Sequence, residues 1–282
     1  MKKQHIGVFV EQRGGELHNV GLELIGKARE LADASGGTVS VFLLGRDISA
    51  FSDDLIALGA DTILLADSPF LEPYRLLSYT SVLARACKTY QPDILLFGAT
   101  HMGIELAPRL AARLETGLSA HCIDLRLDSK GRLLQVVPGW GGGVVATILC
   151  PNHRPQMATV MPGVMKKLSP TKRSGECIML PVQEDHHTSG PKVLEVHIEE
   201  PKEMPLEVAD VIVAGGWGVG EKGWVLLKEL ATLLCGAVGA TRPPVDEGWV
   251  SEDRMIGQSG KTVKPRLYIG VGIFGMSHHV VG

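Results

Sequence analysis

The sequence predicts an α/β protein built on parallel sheets, and three observations carry the prediction. Short, continuous apolar runs recur at Ile6–Val10, Val39–Leu44, Thr62–Ala66 and Ile94–Gly98, the pattern of strands buried on both faces. Between them lie stretches with apolar residues at helical spacing, and that alternation implies a parallel sheet with helices on both faces. After residue 204 the pattern restarts, with strand-like runs at 208–214, 237–241 and 267–271.

In chain order, Ile6–Val10 is the first strand and Gly14-Gly15 a turn. Leu22–Ala34 carries Leu24, Ile25, Ala28, Leu31 and Ala32 on one helical face. Gly36-Gly37 ends that helix by supplying the left-handed positions a C-terminus wants. Val39–Leu44 is a strand, Leu55–Leu58 a short helix, Thr62–Ala66 a strand, and Tyr74–Tyr90 a helix with Leu76, Leu77, Val82, Leu83 and Ala86 on one side. Ile94–Gly98 is a strand and Leu106–Leu114 a helix. The pattern then changes: His121–Leu127, Leu133–Val137, Val144–Leu149 and Gln156–Met161 are closely spaced and separated by turns, which predicts an antiparallel extension on the sheet edge.

The stretch Glu184–Lys192 is polar, and Val193–Ile198 reads as one more strand of the first domain. Glu200-Pro201-Lys202-Glu203-Met204-Pro205 is the expected linker, giving an N-terminal domain over 1–203 and a second domain over 204–282. In the second, Gly215-Gly216-Trp217-Gly218-Val219-Gly220 is a glycine-rich turn after the first strand and Trp224–Cys235 the first helix.

The 282 residues suit one large or two ordinary domains. A composition of 45% apolar and 21% charged residues is that of a soluble globular chain. A net charge of −3, without a dense Lys/Arg face, argues against nucleic-acid binding. The five cysteines show no Cys-x-x-Cys spacing, which argues against a zinc site or disulfide framework and for a reducing compartment. A strand starting beside Met1 leaves no room for a signal peptide, and no run approaches the ~18 apolar residues of a membrane span. The expectation is a cytoplasmic protein.

In open α/β sheets, ligands sit in the crevice at the carboxyl ends of the strands. The runs 237–240 and 267–271 each end in small residues followed by polar ones, so Thr241, Arg242, Gln258, Ser259, His278 and His279 are placed to converge there. Gly270-Val271-Gly272-Ile273-Phe274-Gly275 matches Gly-x-Gly-x-x-Gly after a strand, the dinucleotide context. No acidic residue follows at the distance a nicotinamide fingerprint needs, and alone the motif is equally a tight strand-to-helix turn. Arg242, stiffened by Pro243-Pro244, suits an anionic ligand or a reduced flavin ring; alone, it is equally a surface arginine in a salt bridge. The loop Gly257-Gln258-Ser259-Gly260 allows close approach to a flat ring, or is an ordinary turn. Adjacent His278 and His279 do not chelate a metal well on a helix, and no third ligand is evident.

Three motifs in order carry a resemblance: Gly-Ala-Thr241-Arg242, Gly257-Gln-Ser-Gly260-Lys261, and Leu267-Tyr-Ile…Gly272-Ile273…Gly275…His279. Together they resemble the FAD domain of the electron transfer flavoprotein alpha subunit. The first domain is similar too, at Glu11-Gln-Arg-Gly-Gly-Glu-Leu17, Leu106-Ala-Pro-Arg-Leu-Ala-Ala-Arg113 and Arg154-Pro-Gln-Met-Ala-Thr-Val160. The resemblance implies a Rossmann-like, doubly wound FAD-binding second domain that is incomplete. It implies FAD as cofactor, with Arg242 over the flavin ring, the Ser259 hydroxyl near N5, Thr262 as a weaker second hydroxyl, the Gly272–Gly275 loop at the phosphates and His279 donating to the flavin carbonyl edge. It also implies a beta-subunit partner and an acyl-CoA dehydrogenase or similar redox protein as donor or acceptor.

Four departures stand out. Trp217 replaces an arginine, Phe274 a serine and His278 a glutamine, and the family continues for a few dozen residues, with strands and adenosine-holding loops, beyond the position of Gly282. A three-stranded second sheet would have an open edge, so a truncated or cleaved chain and weakened FAD binding are expected. The expected function is therefore a one-electron flavin carrier subunit. The alternatives are a paralogue that has lost FAD and only binds a partner, and a nicotinamide-dependent oxidoreductase using the Gly270–Gly275 loop.

Overall fold

A computed structural model describes residues 2–139, 144–182, 193–197 and 203–282. They fall into two compact units, the first drawn from residues up to Gly139 and from Val145–Leu194, the second from Val144 and Glu195–Gly282. Half of the expected linker (200–202) and the polar stretch 184–192 lie outside the described residues.

The first unit opens with β1 (His5–Val10), a two-residue hairpin of β2 (Gln12–Arg13) and β3 (Glu16–Leu17), and α1 (Asn19–Ser35). There follow β4 (Thr38–Gly45), α2 (Ser52–Ala57), β5 (Thr62–Asp67), α3 (Leu76–Tyr90), β6 (Ile94–Gly98) and α4 (His101–Arg113). Every strand and helix expected up to residue 114 is present. α1 stops where Gly36 takes φ +64° and its N–H closes on the carbonyls of Ala32 and Asp33. α4 starts five residues earlier than the apolar spacing suggests. The reason is local: Thr100 caps it, its hydroxyl accepting from the Gly103 N–H at 3.0 Å, which satisfies an otherwise orphaned donor.

The rest of the unit is β7 (Leu118–Cys122), β8 (Asp124–Leu127), β9 (Leu133–Gly139), β10 (Val144–Leu149), β11 (Gln156–Val160) and β12 (Glu176–Met179). The main sheet has seven strands in the order β12-β5-β4-β1-β6-β11-β7, and the pairings from β12 through to β7 are parallel. Apolar clusters fill both faces: residues of α1 and α2 pack on one, residues of α3 and α4 on the other.

The expected antiparallel extension on the sheet edge needs correction. β8, β9 and β10 do form a small sheet, with β8 and β9 antiparallel, but it is separate from the main one. β11 is instead an inner parallel strand between β6 and β7. The strand itself is as expected; its buried polar residues disguise its inner position. The Gln156 amide oxygen accepts the Leu133 N–H at 3.0 Å, and the Thr159 hydroxyl accepts the His121 N–H at 2.9 Å, where β7 bulges and His121 takes φ +56°. A buried polar group is tolerated once bonded, so the strand need not look apolar throughout. The expected His121–Leu127 strand is divided between β7 and β8, which part at Ile123. Val193–His197 forms no strand, and β12, a four-residue edge strand on β5, was too short to register as a pattern.

The second unit contains β13 (Val211–Gly215), α5 (Gly220–Leu233), β14 (Ala237–Ala240), α6 (Arg242–Asp246), β15 (Leu267–Val271) and α7 (Ser277–Val280). Its parallel sheet has the order β14-β13-β15. β13 starts three residues later than expected because Leu206–Val208 forms a turn of 3-10 helix. One face packs Val213, Val238 and Ala240 on Trp224, Leu227 and Ala231 of α5. The other packs Ile212, Ala214 and Ala237 on Leu206 of the 3-10 turn, Ala209 just after it, and Ile256. No described helix of the chain is long and apolar enough to cross a membrane.

Candidate functional site

The middle position of β13 decides where the site forms. Because its neighbours run parallel to it, the segments leaving all three strands emerge at one end of the sheet. They are held together largely by main chain. The Gly216 N–H donates to the Val271 carbonyl at 2.9 Å, and the Gly218 N–H to the Gly272 carbonyl at 3.1 Å. The turn after β13 is thus laid on the turn after β15. Neither turn has room for a side chain there. A Cβ on Gly216 would strike the Gly272 carbonyl oxygen, and one on Gly272, at φ +62°, would sit 2.6 Å from the Val219 nitrogen.

The segment 255–261 closes the third side. The Ile256 N–H donates to the Ala240 carbonyl at 2.9 Å, fastening it to the end of β14. The Gln258 N–H donates to the His278 carbonyl at 2.7 Å, fastening it to α7. Gly257 sits between the two at φ +140°, and a Cβ there would be 2.5 Å from the His278 carbonyl oxygen. Only glycine meets both the conformational and the spatial demand.

The result is a cavity of about 270 Å³. Thr241, Arg242, Gln258, Ser259, Gly260, Gly272, Ile273, Gly275, His278 and His279 line it, ten of the eleven site residues expected from sequence. Thr262, the eleventh, is exposed and lies outside the lining. Trp217 and Phe274 also line it; Trp217 stacks on Trp249 with ring centroids 5.1 Å apart, and Phe274 is 92% exposed. Sequence reasoning missed Met255, Ile256 and Met276, while Gly216, Pro243 and Gly257, also in the lining, lie within stretches it had named.

Arg242 is the first residue of α6, where Pro243 and Pro244 suit the first turn. Its Nε lies 3.3 Å from the Asp246 carboxylate, one turn on, with both side chains largely exposed. Both simple readings of Arg242 therefore hold: it makes a salt bridge and it lines the cavity. An exposed i,i+4 pair is worth only ~0.3–0.5 kcal/mol, so an anionic ligand can recruit the guanidinium at small cost.

His279 lines the cavity and also bonds within the protein. Its Nδ1 lies 2.9 Å from the Ile256 carbonyl oxygen and its Nε2 2.7 Å from the Tyr268 hydroxyl. Burial pushes the Tyr268 hydroxyl up to about 12, so it remains a donor at neutral pH.

The lining suits a flat, electron-accepting ring. It carries Arg242, two histidines, hydroxyl and amide groups, and no carboxylate. Gly275, at φ +80°, has no protein atom within 4 Å of where its Cβ would stand, so the space beside it is open to a ligand. The volume falls just below the ~300–1,000 Å³ of pockets that enclose a drug-sized ligand. It accommodates one end of a dinucleotide, not the whole.

Comparison with known proteins agrees with this geometry. Residues 6–185 match the family described as "Electron transfer flavoprotein domain", and residues 205–282 the one described as "Electron transfer flavoprotein FAD-binding domain". The chain is 44% identical to the electron transfer flavoprotein subunit alpha of Thermoanaerobacterium thermosaccharolyticum, over 98% of this chain and 84% of that protein. It is 40% identical to protein FixB of Azorhizobium caulinodans, over 99% and 77%. It is 35% identical to the acryloyl-CoA reductase electron transfer subunit beta of Anaerotignum propionicum, over 98% and 84%. The chain belongs to the electron transfer flavoprotein alpha-subunit family, and its second unit is the FAD-binding domain.

Proposed function

We propose that the chain is the FAD-holding half of a heterodimeric one-electron carrier, with the flavin ring in the cavity at the carboxyl ends of β13, β14 and β15. Its beta-subunit partner completes the carrier. Electrons pass between a flavin dehydrogenase of the acyl-CoA dehydrogenase type and a downstream acceptor. The convergence of ten expected residues on one cavity carries this reading. The relative named as an electron transfer subunit of an acryloyl-CoA reductase supports an acyl-CoA-linked partner. Five unpaired cysteines support a reducing, cytoplasmic setting.

The bound cofactor supplies the electron transfer chemistry, and the protein positions and tunes it. Arg242 contributes a fixed positive charge that favours whichever redox form carries more negative charge. Ser259 and Gln258 offer hydrogen bonds from a segment clamped at both ends, so they are held in place before the ligand arrives. Trp217 and Phe274 present aromatic surface where an arginine and a serine are usual, which supports a site that relies more on stacking and less on charge.

The test is to purify the chain with its beta partner and add, without oxygen, an acyl-CoA dehydrogenase and its acyl-CoA substrate. A visible flavin spectrum that bleaches on addition is expected. A flavin-free heterodimer would favour a partner-binding paralogue instead, and a bound flavin that never bleaches would exclude the proposed donor.

A further inference from the structure

Arg254 is outside the cavity lining, immediately ahead of the segment 255–261 that closes its third side. It is 6% exposed, and a buried guanidinium is tolerated only with partners. Most of those partners come from the start of the second unit. Its Nη1 donates to the Met204 carbonyl at 2.7 Å, and its Nε lies 3.1 Å from the Asp253 carboxylate and 3.6 Å from that of Glu203. Two further contacts join the same stretches. Leu206, 1% exposed, shares an apolar cluster with Ile256, and Lys261 Nζ lies 2.5 Å from the Glu207 carboxylate. The stretch Glu203–Glu207 therefore meets the chain before, at the start of and after the loop that carries Gln258 and Ser259. The main-chain bonds to Ala240 and His278 fasten that loop to β14 and α7; these three contacts fasten it to the chain entering the unit.

From this geometry we infer that Arg254 is a positioning residue for the flavin site: by clamping the entry stretch 203–207 to the cavity segment it fixes the placement of Gln258 and Ser259, and so couples that stretch to the flavin. The inference rests on the cavity being the flavin site. Of the three contacts, Arg254 sets the direction. The Lys261–Glu207 pair is half-exposed, and such pairs are worth little. The Leu206 contact is apolar and non-directional. The Arg254 bond is charge-assisted, buried and made to main chain, so it fixes where the backbone of the entry stretch lies against the loop. Coupling of this kind is reciprocal. If the clamp prepares Gln258 and Ser259 for FAD, then bound FAD steadies 203–207 in return.

Hydrogen–deuterium exchange on the heterodimer tests this, with Arg254→Lys as the variant, since lysine keeps the charge and lacks the planar fork. Without FAD, the variant should speed exchange at the bonded amides of Ile256, Gln258 and Lys261 roughly tenfold, the lower end of what one charge-assisted hydrogen bond is worth. Unchanged exchange there would overturn the inference. With FAD, the wild-type chain should show slowed exchange at Met204, Leu206 and Glu207. Arg254→Lys should lose that protection, and its FAD dissociation constant should rise by up to roughly tenfold, because less of the protein holds the competent placement. A residue serving the fold alone would lower the unfolding midpoint and leave the FAD-dependent protection of 203–207 intact, and that result would overturn the inference. The wild-type arm decides even where the variant does not fold: exchange at 203–207 that FAD leaves unchanged contradicts the coupling. A wild-type heterodimer that binds no FAD would remove the flavin reading, while the FAD-free exchange would still decide whether Arg254 places the segment.

Discussion

At the carboxyl ends of the strands in the first unit, the loops bond to one another. The Thr100 hydroxyl donates to the Glu11 carboxylate at 2.5 Å, between the ends of β6 and β1. The Gln12 amide and the Tyr79 hydroxyl both donate to the Leu44 carbonyl, each at 3.3 Å. The Asp67 carboxylate at the end of β5 accepts the N–H groups of Asp47, Ile48 and Ser49, at 2.7 to 3.3 Å. In the second unit the same ends of a parallel sheet carry glycines packed main chain against main chain, and side chains such as Arg242 and Ser259 are left to face a cavity. The difference teaches that a parallel sheet's topology offers the crevice but does not make it a site. Loops that satisfy their own polar groups close it, and loops fastened by their main chain leave side chains for a ligand.

Substitutions that reverse either condition should separate the two units. Gly257→Val should have the largest effect. It forces a branched residue to φ +140° against the His278 carbonyl, a strain of about 1–3 kcal/mol. FAD affinity should fall by roughly 5–150-fold in a fluorescence titration, while the unfolding transition of the first unit stays in place. Wild-type affinity would mean that the 255–261 segment is not part of the site.

Arg242→Ala comes next. A charge-assisted bond is worth ~1.5–3 kcal/mol, and ~59 mV of one-electron potential corresponds to a tenfold change. The first one-electron potential should drop by roughly 60–130 mV in spectroelectrochemistry, and Arg242→Lys should recover only part of it, lacking the planar fork. Trp217→Arg should act in the opposite direction on binding. It gives up a stack on Trp249 worth ~0.5–1.5 kcal/mol and places a cation at the cavity worth ~1.5–3 kcal/mol. A net tightening of about tenfold in the FAD dissociation constant is expected, and no change would mean that position 217 does not reach the cofactor.

The smallest effect belongs to the first unit. Thr100→Ala removes the cap of α4 and the donor to Glu11, at a cost of about 1 kcal/mol. The urea midpoint of that unit should fall with FAD affinity unchanged. A loss of FAD affinity would break the contrast between the two crevices.

Much of this was legible in the sequence, and the limits have physical causes. The strands up to Gly98 read clearly because burial on both faces makes them continuously apolar. β11 read as a strand too, but its place inside the parallel sheet did not, because Gln156 and Thr159 are buried by bonding to the main chain of neighbouring segments, which no periodicity records. In the second unit the motifs located ten cavity residues, since small and polar residues at strand ends are a local signal. Thr262 was counted with the loop that precedes it, but the chain has left the cavity by that point.

Hydrogen–deuterium exchange of the chain, with and without FAD and in complex with its beta partner, tests the contrast most directly. Added FAD should slow exchange at 216–219, 241–243, 255–260 and 272–279, and leave 11–13, 45–49 and 98–103 unchanged. Slowed exchange confined to those three first-unit segments would contradict the assignment of the flavin to the second unit.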